Sequence, residues 1–424
     1  MPDRPVTIDG ARIQAMLDEL HAIGRGARTG SDGTFRGLYS PAWGRAQERI
    51  KSWLGEAGLD VRVDAVGNVW GHLAGREPDA PIVAGSHFDT VPDGGKYDGQ
   101  LGHVGAVVAV DALRRQLGQP RRSLAVLATC EEEGSRFNCN FWAARSLTGE
   151  IAPEEPNRLR DFEGALLADE MRARGFDPAR VTEAATDRIG AFLELHIEQG
   201  PVLARLSEAA GPSAPRIVGA VTAITGIGRL LVTLKGQADH TGTTPMLGRR
   251  DALLGAAEVA LALREMALGV GHPAVMTVAR LEVTPNIPNV VAGEVRFTVD
   301  ARHPDRSVQR QLMEAAGQRA HDCARARGLE ATVDEIWDQP PVQMAPDLVA
   351  TVRRAIEARG YRPVDIVAGA GHDSQVLGRK FPAAMIFVIT GNGGRSHCPD
   401  EYASPEDCQA GVEVLAESLR QLAY

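Results

Sequence analysis

The sequence predicts an α/β protein: a large domain with a mixed sheet flanked by helices, and a smaller α+β domain inserted into it. Three observations carry this. Two continuous apolar runs, Pro81–Ser86 (PIVAGS) and Leu124–Thr129 (LAVLAT), read as buried parallel strands, and the helical stretch Leu101–Leu117 between them completes a βαβ unit. Phe192–His196 and Ala384–Val388 (AMIFV) repeat the buried-strand pattern far downstream. From about 219 to 331 the character changes: Leu230–Leu234 and Val295–Ala301 alternate like half-exposed strands.

Ahead of the first strand, residues 11–25 and 44–57 carry helical patterns, the second ending at Gly58. In the middle stretch, two long amphipathic helices near 249–267 and 307–327 lie between and after the alternating strands, so both would cover one side of an antiparallel sheet. At 424 residues the chain is too long for one ordinary core. The organisation expected is a discontinuous large domain, 1–218 with 332–424, and an inserted domain at 219–331. There is no internal repeat and no low-complexity tract.

Hydrophobic residues make up 44% of the chain and charged residues 24%, the balance of a globular protein. A formal net charge of −9 argues against a nucleic-acid partner, which needs a basic face. No segment approaches the roughly 18 apolar residues that span a bilayer, so no membrane partner is expected. The opening MPDRPVTIDGARIQ lacks the apolar core of a secretion signal. The five cysteines are odd in number and show no C-x-x-C spacing, which fits reduced thiols in a cytoplasm and offers no cysteine-built zinc site.

Five segments hold closely placed acids and histidines, each at a strand end or just beyond it: GSHFDT (85–90), GGKYDG (94–99), CEEEGSRF (130–137), ELHIEQG (194–200) and RSHCPDE (395–401). Loops at the carboxyl ends of parallel strands are where open α/β sheets place ligand sites. Imidazole with carboxylate suits zinc, manganese or cobalt and requires no cysteine. Singly, each segment reads as structure, a packed histidine or a solvated glutamate pair. Five of them around one predicted sheet point to a metal centre.

These segments, together with GQADHTGTTPM, PNIPNVV, DAR and GAGHDSQ, resemble the hydantoinase/carbamoylase branch of the co-catalytic zinc amidohydrolases, in order from about residue 45 to 405. That branch includes N-carbamoyl-L-amino-acid hydrolases, β-ureidopropionases and allantoate amidohydrolases. HIEQGP and the GTTPM signature separate it from its peptidase relatives. The resemblance implies two divalent metal ions per subunit, Zn²⁺ or Mn²⁺/Co²⁺. His87 and His196 would hold the first, Glu133 and His397 the second, and Asp98 would bridge them. Asp89 would hold the His87 imidazole in its tautomer, and Glu132 would be the general base.

Elementary chemistry agrees with that division. Two metals in one site need a shared anionic ligand, and a carboxylate can bridge where an imidazole cannot. Adjacent glutamates at a strand end point different ways, so one can ligate while the other faces water. Which of Glu131, Glu132 and Glu133 does which rests on the resemblance alone.

For the substrate, the resemblance implies contacts from Gln199, His240, Asn289 and Arg302, and from a backbone amide near Gly371. His240 would polarise the scissile carbonyl oxygen, and the Arg302 fork suits a carboxylate. The inserted domain would act as a lid and pair two subunits into a homodimer, with His240 reaching the partner's metals. The activity implied is cleavage of a linear ureido or N-carbamoyl C–N bond on a small carboxylate, of N-carbamoyl-L-amino acid or allantoate type. Products would be ammonia with carbon dioxide and an amino acid, or a ureido acid. The rival readings are a dipeptidase or aminoacylase on the same scaffold and a catalytically inactive binding homologue.

The chain also departs from the family pattern. Ala143-Ala144 stands where Gly-Ser is usual, His103 where a plain apolar residue is common, and Thr390-Gly391-Asn392 for a typical Pro-Ser. Cys398 sits beside a proposed ligand. The expected role of His103 and Cys398 is packing rather than metal binding.

Overall fold

A computed structural model describes residues 5–26 and 31–424. The chain divides into two compact units, Met1–Thr222 with Met344–Tyr424, and Ala223–Gln343. In chain order the strands are β1 (Asp60–Val63), β2 (Val69–Leu73), β3 (Ile82–His87), β4 (Leu124–Thr129), β5 (Ala191–Ile197) and β6 (Ile217–Ile224). Then come β7 (Gly226–Lys235), β8 (Asp239–His240), β9 (Val275–Thr284), β10 (Val290–Val291) and β11 (Glu294–His303). β12 (Glu330–Gln339), β13 (Val342–Gln343), β14 (Arg362–Ala368) and β15 (Ala383–Val388) complete the series. No helix among the described residues is long and apolar enough to cross a membrane.

The larger unit is built on a mixed sheet in the order β1-β2-β4-β3-β5-β15-β6, with β14 also paired to β6. β4, β3, β5 and β15 are mutually parallel, while β2 and β6 flank them antiparallel. Every residue of β3, β4, β5 and β15 is buried, which is why β3, β4 and β15 read as near-continuous apolar runs rather than alternating ones, while β5 also buries Glu194, which accepts from Ser86 Oγ and Ser374 N. Helix Gln100–Leu117 crosses from β3 to β4 and packs on β3 and on helix Pro405–Ala423. Because the four central strands run the same way, the segments that follow β3, β4, β5 and β15 share one end of the sheet.

The first helix runs Gly10–Ala22 rather than to 25, because the chain turns at Ile23 and Gly24 takes φ +92°, a left-handed conformation outside the helix. Helix Pro41–Glu56 starts earlier than its periodicity suggests, since Ser40 caps it by accepting from Trp43 N and proline occupies its first turn.

In the smaller unit an antiparallel sheet runs β12-β7-β11-β9. Its buried face, including Leu230, Val232, Leu234, Val295, Phe297, Val299 and Ala301, packs with Val259 and Leu263 of helix Ala252–Val270 and Leu312 and Met313 of helix Arg306–Arg327. Asp251 and Asp305 cap these helices, and Gly271 and Gly328 end them at positive φ. The sheet extends past residue 331, where the sequence analysis ended the insertion. β12 pairs with β7 from Glu330 to Gln339, so the unit continues to Gln343.

Candidate metal centre

The centre is assembled at the shared end of the larger unit's central strands. His87 is the last residue of β3, His196 lies near the end of β5, and Glu131–Glu133 follow β4 after Cys130. Asp98 sits just before Gly99, which precedes helix Gln100–Leu117, and His397 lies in the segment after β15. Ligand atoms of His87, Asp98 and His196 lie within 4.8 Å of one another, as do those of His87, Glu132 and Glu133, and those of Asp98, Glu133 and His397. All five proposed ligands and Glu132 are thus gathered into one cluster.

Asp98 is its hub. Its Oδ1 faces His87 Nε2 at 3.4 Å and His196 Nε2 at 3.2 Å, and its Oδ2 faces His397 Nε2 at 3.1 Å. The other ring nitrogens fix the tautomers. His87 Nδ1 is 3.2 Å from the Asp89 carbonyl oxygen and 3.3 Å from Asp89 Oδ1, and His196 Nδ1 is 2.9 Å from the Ile197 carbonyl oxygen. Acceptors at Nδ1 place the proton there and leave Nε2 a lone pair; the Gly99 N–H donating to His196 Nε2 at 3.1 Å requires the same. Two lone pairs therefore converge on a carboxylate oxygen with no proton between them, an arrangement that a cation resolves. Gly99 makes the approach possible: φ is +68°, and a Cβ there would meet the His87 ring at 2.4 Å.

The electrostatics ask for the same cations. Without a cation only protons can relieve that contact: against the cost of burial, Asp89 and Asp98 push His87 well above the ordinary imidazole range, and His196, His397 and His87 hold Asp98 well below the usual carboxylate range. Burial and then Asp98 push Glu133 up to about 8. Glu132 is raised well above its ordinary value by burial and then by Glu133, and His397 to about 9, chiefly by its bond to Asp98. Several acids crowded in a buried pocket cannot all ionise without countercharge, and the hard oxygen and imidazole donors suit divalent ions. The residues fit a binuclear metal site.

Asp89 does two jobs. Besides facing His87, its carboxylate accepts from Glu132 N at 3.0 Å and Glu133 N at 3.3 Å, fixing the turn that aims those side chains. Glu131 points elsewhere, accepting from Gly134 N, and joins none of the metal groups. Glu401 pins the other side: its Oε1 accepts from Tyr97 N at 2.8 Å and Asp98 N at 3.0 Å.

Gln199 lies beside the hub, with φ +55° and its side-chain amide donating to Asp98 Oδ2 at 3.0 Å and Ser396 Oγ at 3.2 Å. Thr390, one of the departures from the family pattern, accepts from Gln199 N at 2.9 Å and so sets where that residue sits. Gly371 is half-buried against Phe141. His103 is buried with Nδ1 facing the His87 carbonyl oxygen at 3.1 Å, and burial pushes it down to about 3; neither it nor Cys398 belongs to a metal group.

His372 was given no role in the sequence reading, although it follows Gly371 directly. Its ring packs edge-on against His196 at 4.5 Å, Nε2 has no partner, and burial followed by His196 holds it well below its ordinary value, hence neutral.

His240, Asn289 and Arg302 belong to the smaller unit. β8 and β10 pair, with His240 opposite Val290, and the Asn289 carbonyl accepts from Thr241 N at 3.1 Å. His240 and Asn289 are exposed. His240 Nδ1 accepts from Gly242 N at 2.9 Å and Thr243 N at 3.2 Å, which leaves the neutral ring's proton on Nε2. Arg302 is partly buried and ion-paired with Asp300.

Residues 83–421 match peptidase family M20/M25/M40. The chain is 36% identical over 411 residues to an allantoate amidohydrolase of Bacillus subtilis, covering 97% of this chain and 98% of that one. It is 35% identical to an N-carbamoyl-L-amino-acid amidohydrolase of Paenarthrobacter aurescens over 98% of this chain and all of the other. A solved amidase of the hydantoinase/carbamoylase family from Burkholderia multivorans superposes with a TM-score of 0.89 at 35% identity, over 99% of this chain and 98% of that one. With likeness at this level over nearly the full length of both partners, the chain belongs to peptidase family M20/M25/M40 and, within it, to the hydantoinase/carbamoylase branch of amidohydrolases.

Proposed function

We propose that this hydrolase cleaves a linear ureido or N-carbamoyl C–N bond on a small carboxylate, of the N-carbamoyl-L-amino acid or allantoate type. The observation that carries the reading is the sharing of Asp98 among three histidines, with Glu132 beside them. The printed names of the relatives support the substrate class.

His87, His196 and Asp98 would hold one ion, and Glu133, His397 and Asp98 the other, with Zn²⁺, Mn²⁺ or Co²⁺ matching the donors. Such ions supply Lewis acidity, which would polarise an amide carbonyl and lower the pKa of water to about 7. The chain's own groups do the rest. Glu132 accepts the attacking water's proton and returns it to the leaving nitrogen. His240, its Nε2–H free of the backbone bonds that engage Nδ1, donates to the developing oxyanion, and the unpartnered Nε2 of His372 offers a second group for that oxygen. Gln199, Asn289, Arg302 and the backbone at Gly371 orient the substrate. The five free thiols accord with a cytoplasmic location.

Ammonia release from a panel of N-carbamoyl amino acids, N-carbamoyl-β-alanine and allantoate, with manganese, cobalt or zinc added to stripped protein, tests the assignment. Amino acid appearing from dipeptides or N-acyl amino acids, with no ammonia from any panel member, would mean the peptidase-like alternative is right.

The smaller unit is proposed as a lid that pairs two chains into a homodimer, with His240 serving the partner's metals. Neither His240→Ala nor Glu132→Gln protein alone is then active, but mixing them in equal amounts under subunit exchange restores about a quarter of wild-type activity, because half the dimers are hybrids and each hybrid holds one intact site of two. Hybrids confirmed by native mass spectrometry that stay inactive would rule out action in trans.

A further inference from the structure

The acid-reading role proposed for Arg302 rests on one guanidinium, but the sheet around it holds more. Val295, Phe297, Val299 and Ala301 of β11 are buried in the smaller unit's core, so alternation places Asp300 and Arg302 on the opposite face. Arg229 of β7 lies directly across the ladder from Asp300 and shares that face. The three side chains meet. Arg302 Nε donates to Asp300 Oδ1 at 2.7 Å and Nη2 to Oδ2 at 3.4 Å, while Arg229 Nε donates to Oδ2 at 2.9 Å. The Asp300 side chain is 14% exposed, against 27% for Arg302 and 44% for Arg229, so the acid lies deeper than either cation.

We propose that Arg229, Asp300 and Arg302 form one anion-reading unit, in which Asp300 positions both guanidinia and Arg229 is a second arm for the substrate's carboxylate. This rests on the acid-reading role of Arg302 and deepens it. Two cations around one anion leave a single positive charge, which one carboxylate neutralises; the match is to a monoacid rather than a diacid or a neutral amide. Asp300 accepts one of the five N–H donors of Arg229, so the tether does not use up that fork. A free arginine loses rotamer freedom when it clamps a ligand; one already tethered has lost much of it beforehand, so binding is tighter. Burial opposes the charge on Asp300, but Arg302 and Arg229 hold it below the ordinary range, so the tether is anionic at neutral pH.

The test compares kcat and KM for the acid found by the substrate panel and for its primary amide, in wild type, Arg302→Lys, Asp300→Asn and Arg229→Gln. Losing one partner of a charged bidentate contact costs about 30-fold or more, so Arg302→Lys lowers kcat/KM for the acid by at least that factor and far less for the amide. Asp300→Asn and Arg229→Gln each lower the acid's value by about 10-fold, mainly through KM, with a much smaller change for the amide. A merely structural role would depress both substrates together. Arg229 is the most exposed of the three, so its variant serves if Asp300→Asn folds poorly. Selectivity lost in Arg302→Lys but kept in the other two overturns the three-residue unit and leaves the reading of Arg302 standing. No acid preference in wild type, or an Arg302→Lys variant that retains it, overturns both.

Discussion

Glu132→Gln lowers kcat by about 10²–10⁴ while both metals stay bound. The substitution keeps size and hydrogen-bonding capacity, so the buried site is not emptied, but an amide cannot take a proton from water. Geometry separates this residue from its neighbours. Asp89 accepts from the backbone N–H groups of Glu132 and Glu133, so these two side chains enter the metal groups, while Glu131 turns back onto Gly134. Of the pair, Glu133 alone also stands near His397, at 3.5 Å, which is the ground for proposing it as the ligand and Glu132 as the base. Burial, then Glu133, raises Glu132 above the normal carboxyl range, the direction that suits a base working near neutrality. Steady-state kinetics with elemental analysis of the same samples checks the result. If metal leaves with the activity, Glu132 is a ligand and the base lies elsewhere.

The parts of the fold that were legible in the sequence are those where burial imposes a simple pattern. β3, β4, β5 and β15 are buried along their whole length, so apolar residues dominate them and chemistry gathers at their ends, Glu194 inside β5 being a buried acid satisfied by Ser86 and Ser374. β9 and β12 were invisible because they are the edges of the smaller sheet; most of their residues are exposed or half-buried, and neither alternates cleanly. That is why the insertion was ended at 331, inside β12. In the site, residue types and strand ends identified the ligand segments, but side-chain direction in EEE depended on backbone hydrogen bonds donated to Asp89, forty-odd residues away. His372 escaped notice because its significance lies in packing against His196 and in an unpartnered nitrogen, neither of which a sequence displays. The Arg229–Asp300–Arg302 contact likewise needed the ladder register between β7 and β11.

Removing the metals abolishes activity, and Asp98→Asn abolishes it in a way that added metal does not restore. Chelation strips the ions while leaving the donors in place, so activity returns on adding a divalent salt. The asparagine variant removes the ligand proposed to be shared. Asp98 presents one oxygen toward His87 and His196 and the other toward His397. An asparagine offers one carbonyl oxygen without charge and puts an NH₂ where the second oxygen stood, so the group proposed to serve both ions would no longer offer each an anionic oxygen. Metal content should fall from about two ions per chain to below one. A readout independent of turnover comes from linkage: a ligand that binds only the folded state at 100 times its Kd adds about 2.7 kcal/mol of stability. Stripped wild-type protein should therefore show a clear rise in melting temperature on adding metal, and Asp98→Asn protein little or none. His397→Ala separates the two positions, because it leaves His87, His196 and Asp98 intact and should retain about one ion per chain. If exhaustively stripped protein, shown to be metal-free, keeps full activity, the cluster is structural and the proton chemistry assigned to Glu132 has no activated water to act on.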